Sequence, residues 1–295
     1  MEAFQRKLNH NRDEYRRNMW AKHREQVTEL FNTALSKQAS VDKIGIIGAG
    51  NCDDLDLDHL ATKCNLIYLF DIDKESMING IKNFSESTQC KIQLVECDVS
   101  GLEKVNFEQI LTSMLMNGER TENIVEFLKK TNGQLSEIIH NEFAEYIGSF
   151  DIFATSAIYT QLFYNWALDT LENNNHHYEQ MDLIRIKDGF LDVRDQIVLN
   201  LQELSFKCCT PKGFYITWSD ILQMKPEYIQ TINQGINAIF SLASNVGYGA
   251  ALLAIQDYMG KVNRREFSLR HWVWDFHEDK QYLTIGLVGK KEQCN

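Results

Sequence analysis

Five short apolar runs, separated by segments of helical periodicity, constrain this chain more than any other feature. They are KIGIIG from Lys43, NLIYLFD from Asn65, KIQLVECD from Lys91, FDIFATS from Phe150 and GFYITWS from Gly213. Each is rich in Ile, Val, Leu, Phe or Tyr, as strands buried on both faces are, and their alternation with helical stretches is the pattern of βαβ units. The fold class expected is α/β, a Rossmann-like doubly wound sheet. The last thirty or so residues break the alternation, because REFSLRHWVWDF and KQYLTIGLVGKK are strand-like runs joined by His277, Glu278, Asp279 and Lys280. That is a hairpin signal, so the sheet should be mostly parallel with an antiparallel C-terminal hairpin strand.

Helical additions surround this frame. Val27, Leu30, Phe31, Ala34 and Leu35 repeat at helical spacing, which marks residues 1–42 as an N-terminal helical extension and a candidate lid over the 43–291 domain. Residues 1–43 carry nine basic and six acidic side chains, net +3, within a chain of net charge −11, so a docked helix on an acidic body is expected. The 101–148 stretch, with Ile124, Phe127, Leu128, Leu135, Ile138, Ile139 and Phe143, reads as a helical insert, and Tyr178 to Phe206 as one long helix.

The negative charge disfavours nucleic acid as a partner. The seven cysteines, Cys52, Cys64, Cys90, Cys97, Cys208, Cys209 and Cys294, are odd in number and form no C-x-x-C pair, so reduced thiols are expected and neither a disulfide framework nor a zinc module. With no signal-peptide run and no apolar stretch near the roughly 20 residues a membrane span needs, the chain is expected to be cytoplasmic and to have no membrane partner.

The densest chemistry lies between Gly45 and Asp73. The first strand ends in the turn Gly48-Ala49-Gly50-Asn51-Cys52, whose glycines let backbone N–H groups approach a bound small molecule. The second strand ends in Leu69-Phe70-Asp71-Ile72-Asp73, placing a carboxylate about 20 residues beyond the turn, where it can accept from ribose hydroxyls. A dinucleotide site would require glycine at position 53, where this chain has Asp53, followed by Asp54 and Asp56. Carboxylates at that helix start repel phosphates, so the expected ligand carries an adenosine without phosphates and a cationic or zwitterionic tail.

In these residues the sequence resembles the class I S-adenosylmethionine-dependent methyltransferases. The resemblance is carried by IGIIGAGN (Ile44 to Asn51), LFDID (Leu69 to Asp73), VECDVSGL (Val95 to Leu102), FDIFATSAIY (Phe150 to Tyr159) and the terminal hairpin, in family order across about Val41 to Lys291. It implies S-adenosyl-L-methionine as cofactor: Gly48, Ala49, Gly50 and Asn51 beside its methionine and ribose, Asp71 with Ile72 at the ribose hydroxyls, Asp98 and the Val99 backbone at the adenine, and Ser156 near the transferable methyl. Two positions depart from the family pattern, Ile46 for an acid and Cys52 for a third glycine. Asn51, Asp53 or Asp54 are the available substitutes for that acid.

The fourth strand ends in Thr155-Ser156-Ala157-Ile158 and lacks the Asn/Asp-Pro-Pro-aromatic motif that many DNA and protein amino-group methyltransferases use. A small molecule or peptide is therefore the expected substrate, with an amine favoured by the acidic body. Tyr159 is the candidate catalytic and substrate-binding residue, with Trp166 and Trp218 as further substrate contacts and Tyr164, Ser219 and Asp220 nearby in sequence; aromatics there could cage a cation, although rings at helical spacing also serve as core. His176-His177 and Asp192, Arg194 and Asp195 read as solvated surface, and His271 and His277 fall on the hairpin face opposite Trp272 and Trp274. No metal site is expected. The alternatives are aminoalkyl transfer from the same cofactor, an NAD(P)-dependent oxidoreductase, and a cofactor-binding scaffold without turnover.

Overall fold

The computed structural model describes residues 14–292; the part of the helical extension expected over 1–13, and Cys294, lie outside them. The N-terminal segment forms helices α1 (Glu14–Met19) and α2 (Ala21–Leu35), interrupted at Trp20. There follow β1 (Lys43–Ile47), β2 (Leu66–Asp71), α3 (Lys74–Ile81), β3 (Ile92–Glu96), α4 (Phe107–Met116), α5 (Thr121–Glu142), β4 (Phe150–Ser156), α6 (Tyr164–Asn173), α7 (Gln180–Cys208), β5 (Cys209–Gln223), α8 (Ile236–Val246), α9 (Gly249–Lys261), β6 (Ser268–His277) and β7 (Lys280–Gly289).

The strands make one seven-stranded sheet in the order β3-β2-β1-β4-β5-β7-β6. Strands β1 to β5 are parallel, and β7 pairs antiparallel with both β5 and β6. This is a Rossmann-like doubly wound sheet closed by an antiparallel hairpin. The apolar runs are buried because helices cover both faces. On one side α2 and α3 pack over Ile44, Ile46, Leu69, Ile152 and Ile216. On the other, α4 to α7 and α9 cover Ile47, Phe70, Phe150 and Phe153.

The N-terminal helix α2 is part of this core. Val27, Leu30, Phe31 and Ala34 are buried, and a Cβ on Gly286 of β7 would stand 2.6 Å from a Leu30 methyl, so the helix approaches the sheet where only glycine leaves room. His23 stacks on Trp274 at 4.0 Å, and its Nδ1 accepts from Trp272 Nε1 at 2.9 Å. Burial lowers its pKa to about 3, so this imidazole is a neutral core group.

Three details differ from the expectations. Strand β5 begins at Cys209 and runs to Gln223, longer at both ends than the run from Gly213 to Ser219, so Asp220 also lies within it; antiparallel pairing with β7 extends it to Gln223. The hairpin turn is two residues, Glu278 and Asp279, because His277 and Lys280 pair. Helices α8 and α9 carry a satellite core with Ile239, Ala243, Ala251 and Ile255 against Leu283, Ile285 and Leu287 of β7. Among the described residues, the six cysteines are free thiols, no helix is long and apolar enough to cross a membrane, and no group of three His, Cys, Asp or Glu side chains could hold a metal ion.

A cavity at the carboxyl ends of the strands

Past β1 the chain turns through Gly48 to Cys52 before any helix begins. Gly48 has φ +77° and a Cβ there would stand 2.8 Å from the Ser156 carbonyl oxygen, so both conformation and space require glycine. The Gly48 N–H donates to the Phe70 carbonyl at 2.9 Å, and the Gly50 N–H donates to Asp71 Oδ2 at 2.8 Å. Asp71 Oδ1 accepts from the Asp73 N–H at 2.9 Å. Burial raises the Asp71 carboxyl against these bonds. A carboxylate has about four acceptor sites in all, so both oxygens can still accept from a ligand hydroxyl.

The acids after the turn do three different things. Asp56 caps the one-turn helix Leu57–Ala61, accepting from the His59 N–H at 3.1 Å. Asp53 Oδ2 accepts from Arg16 Nε and Nη2 at 3.0 and 2.8 Å, while Arg17 and Arg24 donate to the Cys52 and Asp53 carbonyls at 3.1 and 2.8 Å. Asp54 Oδ2 accepts from Ser156 Oγ at 2.6 Å and from Trp218 Nε1 at 3.2 Å. Burial pushes the Asp54 carboxyl up to about 6, although both of those bonds favour its charged form.

These groups surround a cavity of about 660 Å³. Gly48, Ala49, Gly50, Asn51, Asp71, Ile72, Asp98, Val99 and Ser156 all line it, together with Asp54, Arg16 and Trp20. Trp20 Nε1 donates to the Phe276 carbonyl at 3.0 Å, which pins the α1–α2 junction to the hairpin. Asp98 reaches the wall with most of its carboxylate already engaged: Oδ1 accepts from the Ser100 N–H and Oγ, and Oδ2 from the Glu103 N–H at 2.8 Å. It shapes the loop that presents Val99. Ala157, a non-glycine residue at φ +41°, sits at the end of β4 with its N–H bonded to the Trp218 carbonyl at 2.9 Å; such strain is retained where the surroundings fix it.

The aromatic candidates are placed differently from the expectation. Tyr159 belongs to the wall, yet its hydroxyl points into the core, bonded to Thr155 Oγ1 (3.1 Å), the Tyr215 hydroxyl (2.8 Å) and Gln202 Nε2 (2.6 Å). Only 2% of the residue is exposed, so its phenol is a structural group closed off from a bound molecule. Trp218 is fully buried and outside the lining; it acts on the cavity by holding Asp54 through its indole and Ala157 through its carbonyl. Trp166 packs in the ring cluster of Phe107, 6.4 Å away, outside the lining. His176 and His177 are exposed in a 3-10 turn, His271 and His277 are exposed on the hairpin, and Trp272 and Trp274 are buried. Asp192 lines a separate surface cleft between α5 and α7, whereas Arg194 reaches the main cavity, its guanidinium 5.1 Å from the Tyr164 ring and bonded to Asp195 at 2.6 Å.

The cavity is lined as well by Asp220, Tyr248, Trp274, Phe276, Lys280 and Tyr282. Asp220 Oδ1 accepts from Thr160 Oγ1 at 2.9 Å. Burial pushes this carboxyl up to about 6, with Lys280 acting in the opposite direction. Tyr248 comes to the site through its N–H bond to the Ile221 carbonyl of β5, at 2.7 Å, and Trp274, Phe276, Lys280 and Tyr282 come through the closure of the sheet by the hairpin.

No family model matches the sequence, and no curated protein matches it. Among solved structures it is similar to the N-methyltransferase NodS of Bradyrhizobium japonicum in complex with S-adenosyl-L-homocysteine, at 10% identity over 92% of this chain and 87% of that one, TM-score 0.41. It is also similar to the YcgJ protein of Bacillus subtilis, at 10% identity over 90% of this chain and 99% of that one, TM-score 0.39. At overlaps of this size, the strand order of the chain itself defines its fold.

Proposed function

We propose that this protein is an S-adenosyl-L-methionine-dependent methyltransferase acting on a small molecule or peptide, with an amine as the acceptor. The observation that carries the reading is the pairing of the Gly50 N–H with Asp71 at the head of the cavity. It sets a glycine turn and a strand-end carboxylate side by side in a sheet closed by an antiparallel hairpin. In this reading Asp71 accepts from the ribose hydroxyls, the Gly48 to Asn51 backbone borders the methionine portion, and Ile72 and Val99 offer apolar cover to the adenine.

The cavity fits this cofactor by its charge. Asp54 is a buried carboxyl held toward the site by Ser156 and Trp218, and an ammonium beside it offsets the cost of its ionisation. It thereby takes the place of the acid missing at Ile46. A pyrophosphate there would meet the same carboxylate unfavourably, which speaks against NAD(P). When bound, the cofactor supplies an electrophilic sulfonium methyl. The protein's part is to orient an acceptor nitrogen near Ser156 and Ala157 and to exclude water with Trp20, Trp274 and Phe276.

Incubation with S-adenosylmethionine and a panel of primary and secondary amines, with products resolved by mass spectrometry, tests the reading. S-adenosylhomocysteine and a methylated amine are expected. Methylthioadenosine would instead indicate aminoalkyl transfer.

A further inference from the structure

The cavity extends beyond the residues assigned to the cofactor, into the corner between β5 and the β6–β7 hairpin. A negative and a positive side chain share this corner. Asp220 projects from β5, held by Thr160, and is 7% exposed. Lys280 opens β7, its ammonium 5.2 Å from the centre of the Tyr282 ring and 5.9 Å from that of Phe276. The two charges act on each other, but no ion pair within 4 Å joins them among the described residues, where Lys280 has only ring contacts. Tyr248 and Tyr282 line the same cavity as Asp220, their rings 6.2 Å apart, and Trp274 and Phe276 complete an apolar wall.

We propose that this corner is the acceptor subsite and that it selects an aromatic amino acid or a molecule with the same head, whose ammonium rests on Asp220 and whose carboxylate rests on Lys280; one ammonium proton passes to Asp220, and the neutral amine then attacks the sulfonium methyl and releases S-adenosylhomocysteine. A buried carboxylate and a nearby ammonium that do not close on each other leave two opposite charges for a third group to bridge. A zwitterion satisfies both, whereas an amine without a carboxylate brings a second cation toward Lys280, and an acid without an amine brings an anion toward Asp220. The surrounding rings match a flat apolar side chain. Burial pushes the Asp220 carboxyl up to about 6, so a cationic amine is the partner that restores its charged form. The inference rests on the methyltransferase reading only in giving the other end of the cavity to the cofactor.

Calorimetric titration of the full chain with L-tryptophan, tryptamine and indole-3-propionate, for wild type, Asp220→Asn and Lys280→Gln, tests it. The expected result is that tryptophan binds wild type at least tenfold more tightly than either analogue. Asp220→Asn should lose at least tenfold for tryptophan and leave indole-3-propionate no weaker; Lys280→Gln should lose at least tenfold for tryptophan and bring tryptamine level with it. Asparagine can still accept from Thr160, and Lys280 packs only through its ammonium on rings, so both variants should fold. Tryptamine binding wild type as well as tryptophan, variants without effect, or no binding of any of the three would overturn the proposal. S-adenosylhomocysteine titrated into the same proteins separates the two readings. Its failure to bind alongside normal tryptophan binding would overturn the cofactor and keep the subsite, and the reverse pattern would do the opposite.

Discussion

Arg16 donates through both Nε and Nη2 to one oxygen of Asp53, at 3.0 and 2.8 Å, across 37 residues of sequence. The Asp53 side chain is 1% exposed, so this pair neutralises an acid at the entrance to the cavity and fastens α1 to the loop after the glycine turn. Arg16→Gln removes a charge-assisted, two-nitrogen contact from a buried carboxylate. A loss of about 2 kcal/mol is expected, read as a lower midpoint in chemical denaturation and a weaker affinity for S-adenosylhomocysteine. A variant with unchanged stability and affinity would show that the clamp is incidental.

The pH dependence follows from Asp54. Its folded pKa of about 6 lies above the ordinary 3.8, so the folded state binds this proton more tightly than the unfolded chain. Ionised Asp54 therefore opposes folding above about pH 6, and the penalty fades as pH falls through 6 towards 4. At one pKa unit per 1.36 kcal/mol the penalty is about 3 kcal/mol. Asp54→Asn should raise stability at pH 7.5 by about 2 kcal/mol and by almost nothing at pH 4, measured by urea unfolding. The same variant should lose cofactor affinity, since the carboxylate's place is in the site. An equal gain at both pH values would contradict the burial argument.

Tyr159→Phe separates a structural from a catalytic phenol. Its hydroxyl bonds to Gln202 Nε2, and the Gln202 Oε1 is already a buried atom with no hydrogen-bond partner among the described residues. Removing the hydroxyl should cost about 1–2 kcal/mol of stability and leave kcat within about threefold, a barrier change under 1 kcal/mol. A fall in kcat of a hundredfold with stability intact would restore the phenol to the chemistry.

Gly48→Ala tests the turn. The alanine methyl would meet the Ser156 carbonyl at 2.8 Å in a left-handed conformation, so the loop must shift away from Asp71. A loss of about 1–3 kcal/mol is expected, with cofactor affinity falling at least tenfold. Unchanged affinity, by the same titration, would show that the turn does not contact the ligand.

The frame of this site was legible in the sequence because its signals are local. A strand buried on both faces writes itself as an unbroken apolar run, and Gly48, Gly50 and Asp71 mark strand ends where ligand contacts concentrate. Asp98 was legible as a strand-end acid, but its carboxylate serves the 98–103 loop, since an acid beside Ser100 satisfies backbone N–H groups before any ligand arrives. Tyr159 and Trp218 were placed by position along the chain, which does not say which way a side chain turns; the register of β4 on β5 sets Trp218 opposite Ser156, its indole on Asp54, while Tyr159, past the end of β4, turns its hydroxyl to Tyr215 and Gln202. Arg16, Lys280 and Tyr282 were illegible as site residues, because they reach the cavity only through the docking of α1 and the closing of the hairpin.

The most direct measurement is calorimetric titration with S-adenosylmethionine, S-adenosylhomocysteine, NAD and NADP, repeated on Asp71→Ala. Binding of the first two alone, weakened at least tenfold in the variant, is the expected result. Binding of NAD or NADP in their place, or S-adenosylmethionine affinity indifferent to Asp71, would contradict the methyltransferase reading and leave only the fold.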